Sequence, residues 1–195
     1  MEKVNQSILQ AYLFGALHDG TFNRKHKTWR ISQSNRAWLE KLKDILNELG
    51  YKAWIYQEGK SRTVSIVETT AAFLKQIPEP LQLQTKKEQI AYIRGYFDAE
   101  GGIPKSDNHW MYIQLSQKNQ VELEQIKTIL VSLGIEAGKI HNPSQKIDPN
   151  YWRLFISRKS HQDFIKIIGS WHPRKQKLLA SRMKIYDFQS ASSFT

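Results

Sequence analysis

The stretch Ile93-Arg94-Gly95-Tyr96-Phe97-Asp98-Ala99-Glu100-Gly101 reads as the end of an apolar helix that closes on an acid and a glycine. A second, weaker copy lies upstream as Tyr12-Leu13-Phe14-Gly15-Ala16-Leu17-His18-Asp19-Gly20-Thr21. Aligning Asp19-Gly20 with Glu100-Gly101 sets the two copies 81 residues apart, leaves Gly15 one position late relative to Gly95, and puts Leu17 where the first acid, Asp98, would stand. Two arrangements reconcile the mismatch. Either Gly15 and Ala16 share the small-residue role, or the end of the first helix is locally shortened. His18 adjoins the first acid and is read as its neighbour rather than as part of a site.

Outward from these helix ends the chain repeats itself, which has to be recognised before any fold is assigned. Ile31-Ser32-Gln33-Ser34-Asn35 with Leu39, Leu42, Ile45, Leu46, Leu49 and Gly50 returns 84 residues later as Leu115-Ser116-Gln117-Lys118-Asn119 with Leu123, Ile126, Ile129, Leu130, Leu133 and Gly134. Phe73-Leu74 returns as Phe164-Ile165 at an offset of 91, so loops of unequal length join a shared scaffold. Each half predicts a helix ending in an acid and a strand (29–34; 111–117). An amphipathic helix follows, opened by Asn35 or Asn119 and closed by Gly50 or Gly134, then two more strands (53–57 and 63–67; 139–141 and 152–157) and a short helix (71–77; 160–168). The expected architecture is α+β, two αββαββα halves with antiparallel sheets related by a pseudo-twofold axis. The expected boundaries are 1–80 for the first half, 81–87 for a linker launched by Pro78-Glu79-Pro80, and 88–195 for the second, which ends in a basic helix over 174–188.

Composition narrows the function. Twenty-nine Lys and Arg against eighteen Asp and Glu give +11 and a pI near 9.7. A folded chain with that excess meets a polyanion, nucleic acid before an anionic membrane. Nothing approaches the roughly 18 apolar residues of a membrane span, and the N-terminus lacks a secretory leader's pattern. The expected location is intracellular: cytoplasmic, nucleoid-associated or organellar. With no cysteine in the sequence, disulfides, thiolate-bound zinc and a thiol nucleophile are excluded, and any metal must sit on oxygen or imidazole.

The quoted stretch resembles the LAGLIDADG homing endonucleases. Gly95, Asp98, Ala99, Glu100 and Gly101 fall at the motif's Gly, first acid, small residue, second acid and final Gly, with Glu in place of the usual Asp. The spacing has a physical rationale: small residues on one face let two such helices pack backbone to backbone, and each then carries an acid at its C-terminal end. A carboxylate pair at two negative helix ends needs a cation, and oxygen ligands with open water positions suit Mg2+, or Mn2+. Asp19 and Glu100 are therefore the expected metal ligands, with the backbone around Gly20 and Ala99 as further oxygen donors.

The resemblance implies more. Gln33 and Gln117 stand where the family uses a polar residue to order water near the metals. Lys175 matches a basic residue near the scissile phosphate, and its counterpart in the first half is Gln84 or Lys86, which implies two cleavage steps of unequal speed. The fold implied is a saddle that binds double-stranded DNA, acting as a monomer and cutting both strands across the minor groove to leave 3′ overhangs. Strand residues expected to face the major groove are Arg30, Ser32 and Ser34, then Tyr112, Gln114 and Ser116, and on the later strands Arg62, Ser65, Arg153 and Arg158. Arg24-Lys25-His26-Lys27 and the run 174–184 are read as phosphate contacts. The competing reading is an RNA maturase or a catalytically silent DNA-binding regulator on the same scaffold. An intein is disfavoured, because the chain lacks Cys and His141-Asn142 is internal.

Overall fold

The computed structural model describes residues 3–59, 62–106 and 108–192. Backbone contacts divide the chain into two units, Met1–Pro78 with Gln82–Ala99, and Glu79–Leu81 with Glu100–Thr195.

In the first unit α1 (Lys3–Ala16) tightens into a 3-10 turn, Leu17–Asp19. Then come β1 (Gly20–Asn23), β2 (Thr28–Gln33), α2 (Arg36–Glu48), β3 (Ala53–Gln57), β4 (Ser65–Thr69) and a short 3-10 turn, Ala72–Lys75. The antiparallel sheet runs β1-β2-β4-β3. The helix α3 (Lys86–Glu100) packs in this unit up to Ala99. The order helix-strand-strand-helix-strand-strand matches the expected αββαββ plan, although the strands located in the sequence included only one before α2. The strand missing from the sequence reading is β1, a four-residue edge whose alternation is too short to register and which forms a hairpin with β2 across 24–27. The expected helix over 71–77 is only the 3-10 turn.

The expected apolar stripe of α2 is buried from Leu39 to Leu46 and is joined by Trp38, while its last member, Leu49, is half-buried at the C-cap. Trp38, Leu39, Leu42, Ile45 and Leu46 are all at most 3% exposed, each worth roughly 1.5 to 3 kcal/mol of transfer free energy. Asn35 caps the helix by accepting from the Trp38 N–H at 3.1 Å. Gly50 ends it at φ 84°, a left-handed conformation that favours glycine.

In the second unit β5 (Gln114–Gln117) pairs antiparallel with β6 (Trp152–Phe155), and α4 (Gln120–Ser132), α5 (His161–Ile167) and α6 (Pro173–Ser192) complete it. Asn119 caps α4 as Asn35 caps α2, and Gly134 takes φ 78°. The strand expected over 139–141 is reduced to a bridge between His141 and Arg153, beside a second bridge from Ala137 to Ile156. The strand expected over 111–117 starts three residues late, at Gln114, which is bridged to Gly102.

Candidate functional site

The crossing of α1 and α3 organises the first unit's candidate site. A Cβ placed on Gly15 would lie 2.0 Å from the Tyr92 carbonyl oxygen, and one placed on Gly95 would lie 2.0 Å from the Tyr12 carbonyl oxygen. The approach is reciprocal and backbone to backbone, so only glycine fits at either position. The tyrosines repeat the reciprocity. Tyr12 of α1 donates to Asp98 Oδ2 on α3 at 2.8 Å and accepts from Trp38 Nε1 at 3.0 Å, while Tyr92 of α3 meets His18 Nε2 at 3.0 Å. His18 also packs edge-on against Tyr96, with ring centroids 4.8 Å apart.

These contacts pair Tyr12 with Tyr92, Gly15 with Gly95 and His18 with Asp98, all 80 residues apart. The first acid's counterpart is therefore His18 and not Leu17, which is buried at 5%. Ala99 has no counterpart, because the 3-10 turn brings Asp19 to the helix end one residue early. An α-helix rises about 1.5 Å per residue and a 3-10 helix about 2.0 Å. Five α steps from Gly95 to Glu100, and one α step plus three 3-10 steps from Gly15 to Asp19, each cover about 7.5 Å along their own helix. Of the two arrangements left open by the sequence, the shortened helix end is the one adopted.

Asp98 is 2% exposed, and burial together with the Asp98 charge raises the Tyr12 hydroxyl well above its usual range. Burial also lowers the neighbouring Arg94 guanidinium, while the Asp98 and Tyr12 charges oppose that shift. Asp98 thus anchors the helix crossing.

Asp19 is half-buried, and Gln33, at the end of β2, donates its side-chain amide to Asp19 Oδ2. Gly20 follows as the first residue of β1, with its N–H on the Leu17 carbonyl. In the second unit Glu100 is half-buried, and its carbonyl accepts from Ser116 Oγ at 3.3 Å. Gln117 Oε1 accepts from the Lys118 N–H at 2.6 Å. Lys175, on α6, is 4% exposed, whereas Lys86 and Gln84 are exposed. His172, just before α6, is also buried; burial and the nearby Lys175 and Arg174 charges push its imidazole down to about 4, so it is neutral at pH 7. Among the described residues no group of three or more His, Cys, Asp or Glu comes together. Each helix end by itself offers a single carboxylate and backbone carbonyls, with the Gln33 amide beside Asp19, donors of the kind that a hard cation retaining several waters takes.

Strand register sorts the remaining expected residues. In the first unit Arg30 opposes Glu68 and Ser32 opposes Ile66, on the face away from α2, while Gln33 opposes Ser65 on the other face. Ser65 therefore lies on the face opposite to Arg30 and is 8% exposed. Ser34 is exposed just past β2. Arg62 and Arg158 are exposed but lie outside the strands expected to carry them; Arg62 pairs with Glu58 at 3.1 Å and Arg158 opens a 3-10 turn. In the second unit Ser116, opposite Arg153, is 8% exposed and tied to the Glu100 carbonyl. Gln114 opposes Phe155, Tyr112 is 41% exposed, and the Arg153 guanidinium lies over the Tyr151 ring at 4.8 Å.

Sequence reasoning missed Glu68. It is 4% exposed and takes contacts from Thr28 Oγ1, Arg30 Nε at 3.0 Å and Tyr56 Oη at 2.8 Å. Burial pushes its carboxyl up, but the Thr28, Arg30 and Tyr56 donors outweigh burial and hold it below the ordinary carboxylate value. An acid inside the apolar run Ser65-Ile66-Val67-Glu68-Thr69 was the available signal, but its partners depend on register. Also missed was the ring cluster around Phe155 of β6, where His141 stacks at 5.9 Å and Tyr112, expected only as a groove-facing residue, meets the same ring edge-on at 6.4 Å.

No helix among the described residues is long and apolar enough to cross a membrane. A curated relative, the homing endonuclease I-ApeI of Aeropyrum pernix, is 28% identical over 191 residues, covering 86% of this chain and 84% of that protein. Among solved structures, I-DmoI in complex with DNA and Mn has a similar fold, with a TM-score of 0.65 at 24% identity over 86% of this chain and 99% of that one. Full-length DUF199/WhiA from Thermatoga maritima has a TM-score of 0.66 at 17% identity, covering all of this chain and 69% of that one. The LAGLIDADG-like domain model matches residues 9–78 and again 87–169, one copy on each acid-ended helix, and the chain belongs to that family.

Proposed function

We propose that this chain is a divalent-metal-dependent endonuclease that recognises a long asymmetric site in double-stranded DNA and hydrolyses both strands, leaving 3′ overhangs. The observation that carries the reading is the reciprocal glycine crossing of α1 and α3, each helix then covering the same rise to a half-buried acid. Such a crossing excludes any side chain from the contact, and the sequence ends both helices on carboxylates at their negative ends, a costly choice without a cation. Asp19 and Glu100 would hold Mg2+ or Mn2+, with backbone oxygens near Gly20 and Ala99 as further donors. When bound, such a cation supplies an activated water and neutralises charge on the phosphate.

The chain's own groups do the positioning. Gln33 fixes the Asp19 carboxylate through its amide. Lys175, held in the interior beside His172, offers a charge of fixed position, while the exposed Lys86 does not. This inequality supports two strand cleavages of unequal speed. Recognition falls to the sheet faces carrying Arg30 and Ser32, and Gln114 and Arg153. The names of I-ApeI and of the DNA-bound I-DmoI support the same reading.

The test is incubation of the purified chain with a randomised duplex library, with and without Mg2+, alongside Asp19→Asn and Glu100→Gln. Cleavage should require the metal and fall by at least about a thousandfold in either variant, with DNA binding retained. Sequence-specific binding with no metal-dependent cutting would instead identify a silent DNA-binding regulator.

A further inference from the structure

The face of the first unit's sheet opposite Arg30 and Ser32 carries a feature that the cleavage reading leaves unused. Phe22 and Trp29 oppose each other across β1 and β2, with ring centroids 5.1 Å apart. Together with Arg24, Lys27 and Lys75 they line an open cleft of about 560 Å³, within the range of roughly 300–1,000 Å³ usual for small-molecule sites. Five side chains thus give two aromatic walls and three cations, with no acid among them.

One observation marks the cleft as unsatisfied: Arg24, Lys27 and Lys75 make no ion pair among the described residues. Three unpaired cations around the same cleft repel one another, and an anion relieves that repulsion. The Asn23 side chain fixes the cation-bearing turn by accepting from the Lys25 and His26 N–H groups at 3.1 and 3.4 Å. Phe22 is 38% exposed, which leaves part of an aromatic surface open to a planar ring.

We propose that this cleft binds a nucleotide: a phosphate held by Arg24, Lys27 and Lys75, with the attached base against Phe22 and Trp29. The chemistry is shared by a free nucleotide and by a 5′-terminal nucleotide of a single strand. Phe22 and Trp29 face away from Arg30 and Ser32, so the aromatic part of the site lies off the duplex-reading face, while Arg24 and Lys27 are among the cations expected as duplex phosphate contacts; the site does not depend on cleavage.

The test follows the Trp29 indole N–H resonance of the 15N-labelled full chain, assigned with Trp29→Phe. Adenosine 5′-monophosphate should shift that resonance saturably, and inorganic phosphate or adenosine alone should do so only weakly. Lys27→Gln and Lys75→Gln should each weaken binding by about fivefold, the usual worth of one partly exposed charge contact, with the rest of the spectrum unchanged. A 5′-phosphorylated oligonucleotide binding more tightly than the mononucleotide identifies a strand end as the source, and the reverse order identifies a free nucleotide; both support the site. A Trp29 resonance that does not move at millimolar nucleotide overturns the proposal. So does a shift that phosphate alone reproduces with equal affinity, or one indifferent to both lysine substitutions.

Discussion

Glu68 concentrates the polar chemistry of the first unit's sheet into one carboxylate. Thr28 and Arg30 contact it from β2 and Tyr56 from β3, so its charge holds the Arg30 guanidinium in place on the face expected to read DNA. Its carboxyl lies below the usual value in the folded protein because the three donors outweigh burial. The folded value is thus below the unfolded one, near 4.3. The carboxylate therefore stabilises the fold above that pH, and the contribution is lost as pH falls through the folded value. Urea unfolding of the wild type and of Glu68→Gln should show a stability gap that is constant above about pH 6 and closes toward pH 3. A gap independent of pH would show that the network does not depend on the charge. Residue identities here were legible in the sequence, but their partners were not. Arg30 was expected to face DNA, yet nothing local could say that Glu68, 38 positions away, would be its cross-strand neighbour.

At the level of elements, the pairing of α1 with α3 depends on two glycines. A methyl group at Gly15 or Gly95 would sit 2.0 Å from a carbonyl oxygen of the other helix, with no flexible side-chain end to yield. Gly15→Ala and Gly95→Ala should each cost about 3 kcal/mol or more, at the upper end of overpacking penalties. The same change at Gly102, whose nearest neighbours lie at 3.6 Å and beyond, should be tolerated. Chemical denaturation of the three variants checks this, and equal losses would mean that the helices can separate freely. The helices with strong stripes and caps were legible from sequence, α2 and α4 above all, because local chemistry fixes both their ends. The first motif copy was less legible. Letter matching aligned Asp19 with Glu100 and placed Leu17 opposite Asp98, but the crossing places His18 there, since the backbone changes its winding at Leu17. Short edge pieces such as β1, and strands reduced to bridges at Ala137 and His141, carry too few residues for periodicity to reveal.

Across the whole molecule, the net charge of +11 sets affinity for a polyanion more than it sets specificity. If double-stranded DNA is the partner, the logarithm of the binding constant should fall linearly with the logarithm of salt concentration. Removing one phosphate-contacting cation from the run 174–184 should reduce that slope by about one. Lys177→Gln, assayed by fluorescence anisotropy over a salt series, tests this, and an unchanged slope would remove that run from the contact surface. The chain's duplicated plan adds a different lesson at the Leu17–Asp19 turn. Losing one codon inside a helix ordinarily shortens it by about 1.5 Å and turns everything downstream by about 100°. Rewinding three residues to the tighter helix recovers all of that length and about 60° of the turn. The remainder falls at Gly20, where the backbone is already leaving the helix for a strand. A gene built from two copies can therefore drift in length at this point while each copy keeps its acid at the same reach, and an alignment gap there marks a change of pitch with no displaced chemistry.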